Sequence, residues 1–351
     1  MVERREGLTE SHFRDSRADM VNIPGFVDLQ VNGHRGVDFS HPDLSEEDAA
    51  RACREVVAAG TAAFLPTLIT SPLPVFKRNL GLLASVVRAQ EFRGRLPGLH
   101  LEGPFLSREP GAIGAHNPQW VLAPDPAVLD DLQQWAGGTI RLITIAAEVP
   151  GAEALCRHAQ KLGIAVFLGH QLAGDEDLQR LADAGASALT HLGNGLPALL
   201  DRHRNPIWAG LANDDLAATF IADGHHLPPT VLKAMLRAKG AERSAIVSDA
   251  TLLAGMAPGS YHAMGNDVLL EPSGRVINPQ TGYLVGSAYT LLQCANVLLA
   301  EGICSPEEAV GLCHNNPLRL LGMESGNLPA EPLLRFDEGT NRFVALAAPL
   351  A

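Results

Sequence analysis

Residues 165–191 read AVFLGHQLAGDEDLQRLADAGASALTH, a short apolar run, an amphipathic stretch and a second apolar run, with a histidine closing each apolar run. The runs 165–169 and 188–191 suit buried strands. The stretch 175–184 suits a crossover helix that Gly185 stops. Strands joined by a helix pair in parallel. The alternation continues in both directions. Strands are predicted at 23–31, 63–69, 98–102, 140–146, 165–169, 188–191, 217–222 and 245–248, and helices at 46–59, 74–90, 126–135, 151–162, 175–184 and 229–239 lie between most of them. Eight such units close a barrel, so the expected fold is α/β, a (β/α)₈ TIM-like barrel.

Local punctuation agrees with this reading. Ser45 precedes Glu46, Glu47 and Asp48, which puts a hydroxyl cap and negative charge at a helix start, and Gly60 and Gly163 fall where helices should stop. The stretch 253–286 is rich in Gly and Pro around an alternating piece at 267–270, and is expected to be a long loop with a hairpin above the barrel mouth. Helical segments are expected at 287–300 and within 306–322. The segments 1–22 and 323–351 are too short for a second domain. With one strand predicted at 342–347, they are expected to form a reduced accessory β region beside a catalytic barrel over 23–322.

A chain of 351 residues fits one large barrel with an appendage, and 46% hydrophobic with 19% charged residues suits a compact enzyme. A net charge of −12 with four lysines argues against nucleic-acid binding, which needs clustered cations. Cys53, Cys156, Cys294, Cys304 and Cys313 are scattered, odd in number and never spaced CxxC, which reads as reduced core thiols in a cytoplasmic protein. The polar residues 1–17 do not resemble a signal peptide, and no apolar run is long enough to span a membrane. Nucleotide-binding glycine motifs and a Gly-x-Ser-x-Gly nucleophile elbow are both missing.

The functional signal lies where ionisable residues fall. Glu102, His170, His191, Asp223 and Asp249 each follow an apolar run at a predicted strand end, and in a barrel these ends converge on one mouth. A carboxylate and two imidazoles, Glu102, His170 and His191, suffice to hold a catalytic divalent metal with a position left for water. Zinc is the first expectation, and iron or cobalt suits the same donors. Asp249 is positioned to move protons, with helix capping as the competing reading. His225 and His226 are adjacent, and periodicity does not choose which faces the mouth.

These residues sit in motifs that resemble the amidohydrolase superfamily and, within it, the N-acetylglucosamine-6-phosphate deacetylases. The resemblance covers 24–322: Pro24-Gly25-Phe26-Val27-Asp28-Leu29, Gly98-Leu99-His100-Leu101-Glu102-Gly103-Pro104-Phe105-Leu106, Gly169-His170, Thr190-His191-Leu192-Gly193-Asn194, Asp223-Gly224-His225-His226, Val247-Ser248-Asp249-Ala250 and Leu284-Val285-Gly286-Ser287-Ala288. It implies Glu102, His170 and His191 as metal ligands, Asp249 as the catalytic aspartate and His116 as a contact to the substrate carbonyl. It further implies Asn194, Gly195, His226 and Leu284 as substrate contacts.

The implied reaction is hydrolysis of the N-acetyl group of N-acetylglucosamine 6-phosphate. The alternatives are another N-acyl amino sugar, including N-acetylgalactosamine 6-phosphate, a cyclic amide, an acylated amino acid, or a sugar-phosphate-binding barrel without turnover. Three departures stand out. Gln30 and Asn32 replace the His-x-His of many superfamily members, a degenerate second metal site that implies one metal per subunit. Gly195-Leu196 replaces the usual Ala-Met. The phosphate-contacting arginine, which in some members reaches a neighbouring subunit and so implies a homodimer, corresponds to Arg202 by counting from Asn194 and to Arg204 by the following proline. The family's small β-sandwich is largely missing.

Overall fold

The computed structural model describes residues 22–346; the expectations for 1–21 and 347–351 lie outside the described residues. Eight parallel strands form the centre: β1 Phe26–Val31, β2 Thr61–Ile69, β3 Leu99–Glu102, β4 Ile140–Ile145, β5 Ala165–Leu168, β6 Ala188–Leu189, β7 Ala217–Ile221 and β8 Ser244–Val247. They neighbour one another in chain order from β1 to β8. The connecting helices are α1 Glu46–Ala58, α2 Leu73–Arg88, α3 Pro126–Trp135, α4 Ala152–Lys161, α5 Asp175–Asp183, α6 Pro206–Ala212 and α7 Pro229–Lys239, with α8 Leu291–Ala300 after β8. Every residue of β1 and β2 is buried, because the barrel interior covers one face and helices the other. Such strands read as continuous apolar runs rather than as alternation.

The helices follow their sequence cues. Ser45 Oγ accepts the Asp48 N–H, and α1 buries Ala49, Ala52, Cys53, Val56 and Val57 along one face. The sequence-based reading missed α6, seven residues capped by Asn205, whose side chain accepts from Ile207 N and Trp208 N. Seven residues are too few for a 3.6-residue period to stand out.

The predicted strand 23–31 is corrected. Pro24 carries no N–H, and Gly25 takes φ 121° where a Cβ would meet Gly60 O at 2.8 Å, so the chain bends there and β1 begins at Phe26. Asn22–Ile23 instead pairs with Leu334–Asp337, which pairs with Arg342–Ala345, and this three-stranded antiparallel sheet is the accessory β region. It packs on the barrel, with the rings of Phe343 and Phe26 edge to face at 5.2 Å. Over the mouth, Gly259–Ala263, Asn266–Leu270 and Val276–Ile277 form an antiparallel sheet around its own small core. Among the described residues no helix is long and apolar enough to cross a membrane, and the five cysteines are free.

β1 and β8 meet without a full ladder. A bridge between Val31 and Ala250, the bond from Asn32 N to Ala250 O (2.7 Å) and the bond from Ser248 N to Asp28 Oδ1 (3.2 Å) close the barrel. Burial pushes the Asp28 carboxyl up to about 7, against the lowering effect of its bonds to Ser248 and Gln30. The folded chain thus keeps a proton that the unfolded chain releases near pH ~4. The stability contributed by Asp28 is therefore full below that pH and is lost as pH rises through about 7. Asp28→Asn keeps an acceptor for Ser248 and removes the titration. Its melting temperature is expected to gain on that of the unsubstituted protein between about pH 4 and about pH 7 and to level off above. A constant difference over that range would mean that Asp28 is ionised in the fold.

Candidate active site

The carboxyl ends of the strands deliver the site. Glu102 is the last residue of β3, and the chain leaves β5, β6 and β8 through Gly169-His170, Thr190-His191 and Ser248-Asp249. His170, His191 and Asp249 take left-handed backbone angles, φ 50°, 31° and 49°. Such angles cost a residue with a Cβ about 1–2 kcal/mol, and they cluster where geometry serves function. Sequence patterns carry no sign of this strain.

Glu102 is the hub. Its Oε1 accepts from Gln30 Nε2 at 2.8 Å and lies 2.8 Å from His191 Nε2 and 3.2 Å from His170 Nε2. Its Oε2 lies 3.6 Å from His116 Nε2. His170 Nδ1 is 2.8 Å from Ala112 O, so in the neutral ring that nitrogen carries the proton and Nε2 offers a lone pair. That lone pair faces both the Glu102 carboxylate and His116 Nε2, which is 3.2 Å away. Lone pairs brought this close need a proton or a cation between them. Glu102, His116 and His170 can place ligand atoms within 4.8 Å of one another. His116 Nδ1 and His191 Nδ1 are buried without hydrogen-bond partners. Glu102, His116 and His170 are close enough to hold a divalent metal, and His191 Nε2 reaches the same Glu102 Oε1.

Charge reinforces the convergence. Burial alone would raise Glu102, but the bonds from His170 and His191 hold it well below the usual carboxylate range. Burial opposes protonation of His170, yet Glu102 draws its pKa up. Burial and the neighbouring His170 push His116 down to about 3. Asp249 is raised to about 6 by burial and by the charge of Glu102. Its Oδ1 accepts from Asn32 Nδ2 at 2.7 Å and from Gln30 Nε2 at 3.0 Å. Gln30 therefore ties Glu102 to Asp249, a linking role that the sequence reading of Gln30 and Asn32 as a vacated metal site missed.

A cavity of about 270 Å³ opens above these groups. Glu102, His116, His170, His191, Asn194, Gly195, His226, Asp249 and Leu284, all singled out from sequence, line it, together with Met264 and Tyr283, which were not. The choice between the adjacent histidines is resolved. His226 lines the cavity with its Nδ1 2.7 Å from Asp223 Oδ2, whereas His225 Nε2 lies 3.0 Å from Ser273 O. Burial opposes both charges of the Asp223–His226 pair, yet each partner favours the other's charged form, lowering Asp223 to about 2 and raising His226. Gly195 has a local reason, since at φ 62° a Cβ would stand 2.8 Å from His170 Nδ1. Arg202 and Arg204 are exposed and do not line this cavity; Arg204 borders a separate surface cleft beside Trp208.

No family model matches the chain. It is 31% identical over 304 residues to the N-acetylgalactosamine-6-phosphate deacetylase of Escherichia coli O157:H7, covering 86% of this chain and 78% of that protein. It is 33% identical over 316 residues to the N-acetylglucosamine-6-phosphate deacetylase of Bos taurus, covering 86% and 74%. The crystal structure of N-acetyl-D-glucosamine-6-phosphate deacetylase from Mycobacterium smegmatis matches with TM-score 0.81 at 28% identity over 93% of this chain and 87% of that one. A mutant of the M. smegmatis enzyme in complex with N-acetyl-D-glucosamine-6-phosphate matches with TM-score 0.80 at 27% identity over the same shares. Agreement in sequence over most of both chains and in the path of the whole barrel leads to one conclusion: the chain belongs to the N-acetylglucosamine-6-phosphate deacetylase family of amidohydrolase enzymes.

Proposed function

We propose that this enzyme hydrolyses the N-acetyl group of N-acetylglucosamine 6-phosphate to glucosamine 6-phosphate and acetate, using one divalent metal per subunit held by Glu102, His170 and His191. The observation that carries this reading is the sharing of Glu102 Oε1 by both imidazoles within one cavity that also holds Asp249. Zinc suits two imidazoles and a carboxylate, and iron or cobalt suits them too. When bound, the ion supplies Lewis acidity for polarising the acyl carbonyl and for ionising water.

The chain's own groups do the rest. Asp249 takes a proton from water as the water oxygen attacks the acyl carbon, and returns it to the nitrogen as the C–N bond breaks, since an amide nitrogen leaves poorly unprotonated. Gln30 and Asn32 hold the Asp249 oxygen in place through their amides. His116 is assigned to the carbonyl oxygen, where charge develops. Asn194, the Gly195 N–H, His226 and Leu284 are assigned to the sugar phosphate. Arg202 or Arg204 is assigned to phosphate across a homodimer, consistent with the exposure of both in one chain. Free thiols, four of the five of them buried, suit work in the cytoplasm. The galactosamine-directed relative from E. coli O157:H7 makes N-acetylgalactosamine 6-phosphate the second reading.

Elemental analysis of fully active protein is expected to find about one metal per chain; a requirement for two would defeat the single-site assignment. D249N keeps an acceptor oxygen for Gln30 and Asn32, so it should retain metal while losing about 10²–10⁴-fold in kcat. E102A should lose metal first. Turnover of matched N-acetylglucosamine and N-acetylgalactosamine, each with and without the 6-phosphate, tests the substrate. The phosphorylated glucosamine form should lead, and equal kcat/KM with and without phosphate would remove phosphate recognition. Of R202A and R204A, the variant that loses activity selectively on the phosphorylated substrate locates the phosphate contact.

A further inference from the structure

The sheet over the mouth turns between Ala263 and Asn266, which pair across its first two strands, so Met264 and Gly265 form a two-residue loop. Both have positive φ, 51° and 74°, the type I′ pattern that ordinarily takes Asn-Gly or Gly-Gly. A long side chain with a Cβ is disfavoured at the first of these positions. Methionine there packs against the small core of the sheet, and its other surroundings indicate a second role.

Met264 lines both the catalytic cavity and an adjoining cavity of about 590 Å³, bordered by Asp38, His41, Ile69 and Trp120. Met264 is the residue common to the linings of both. On the catalytic side the hairpin leans on Ala115, the residue before His116, whose carbonyl accepts from Asn266 Nδ2 at 3.4 Å. A Cβ placed on Gly286 would be 3.8 Å from Met264 Sδ and 3.3 Å from the backbone carbonyl oxygen of Asp249. The thioether and its hairpin thus lie beside the two segments that carry His116 and Asp249, and the reacting acyl carbon belongs between those two side chains if the proposed function holds.

We propose that Met264 is the specificity-determining residue for the acyl group: it ends the acyl side of the catalytic cavity so that acetyl fits, and longer acyl chains are stopped short of the room behind it. An unbranched, polarizable side chain suits such a stop, because it can fill an irregular gap against a small methyl group. The inference rests on the deacetylase reading above.

The test uses the metal-loaded enzyme and the N-acetyl, N-propionyl and N-butyryl derivatives of glucosamine 6-phosphate, with M264G and M264N as variants. Both replacements suit a type I′ turn and shorten the side chain. The unsubstituted enzyme should prefer acetyl to butyryl by about 10-fold or more, and M264G should raise the absolute kcat/KM for butyryl by about the same factor. If the unsubstituted enzyme cleaves the acetyl substrate but takes butyryl equally well, the proposal falls. It falls too if the butyryl kcat/KM of M264G does not rise, including the case in which the ratio shifts only through loss of acetyl turnover. If the unsubstituted enzyme cleaves none of the three, the deacetylase reading itself fails, an outcome separate from the others.

Discussion

A carboxylate buried at the top of the barrel must be satisfied from several directions at once, and Glu102 sets that condition for the whole mouth. It is 3% exposed, and leaving such a charge without partners would cost several kcal/mol. The partners come from separate parts of the chain: Gln30 from β1, His170 after β5, His191 after β6 and His116 from the loop beyond β3. Each strand must therefore stop at the right height, and three site residues take left-handed backbone angles as they leave their strands. His170 and His191 meet at one oxygen of Glu102, and Gln30 carries the constraint on to Asp249, so the proposed metal and proton-transfer halves of the site are mechanically one unit.

Support for this hub extends downward. His100 lies two residues before Glu102 on β3 and so shares its face of the strand. Its Nε2 is 2.9 Å from Thr144 Oγ1, which is 2.8 Å from Thr190 Oγ1. Thr219 Oγ1 accepts the His191 N–H at 2.8 Å. This polar layer crosses the barrel from β3 to β7 directly beneath the site. Burial holds His100 down to about 4, so it stays neutral, and the layer adds hydrogen bonds without adding a charge.

Most of the barrel is legible in the sequence, because strands covered on both faces are apolar throughout and the intervening helices carry their own caps. The convergence of Glu102, His170, His191 and Asp249 is legible for the same reason: each ends a recognisable strand. What is not legible depends on contacts rather than on patterns. The bend at Pro24-Gly25 follows from the closeness of Gly60, the short α6 has no period to reveal it, and periodicity leaves open the choice of His226 over His225, which only the motif resemblance makes and which the contact with Asp223 explains. Gln30 bridges two acids that are 72 and 219 residues away, which no local reading could pair. The arginines near 202–204 are visible as a charged cluster, but their exposure in a single chain comes only from the fold.

The incomplete ladder between β1 and β8 bears on the order in which the site is assembled during synthesis. Chains emerge from the amino end. Glu102, His170 and His191 are all made before β8, so the side chains proposed to hold the metal can gather on a seven-stranded, still open sheet. Gln30 and Asn32 then face an unfilled edge, with Asp28 short of its partner Ser248, until the last strand docks and brings Asp249. On the ribosome, the group proposed to move the proton arrives after all those proposed to hold the metal, and the event that seats it is the one that shuts the barrel.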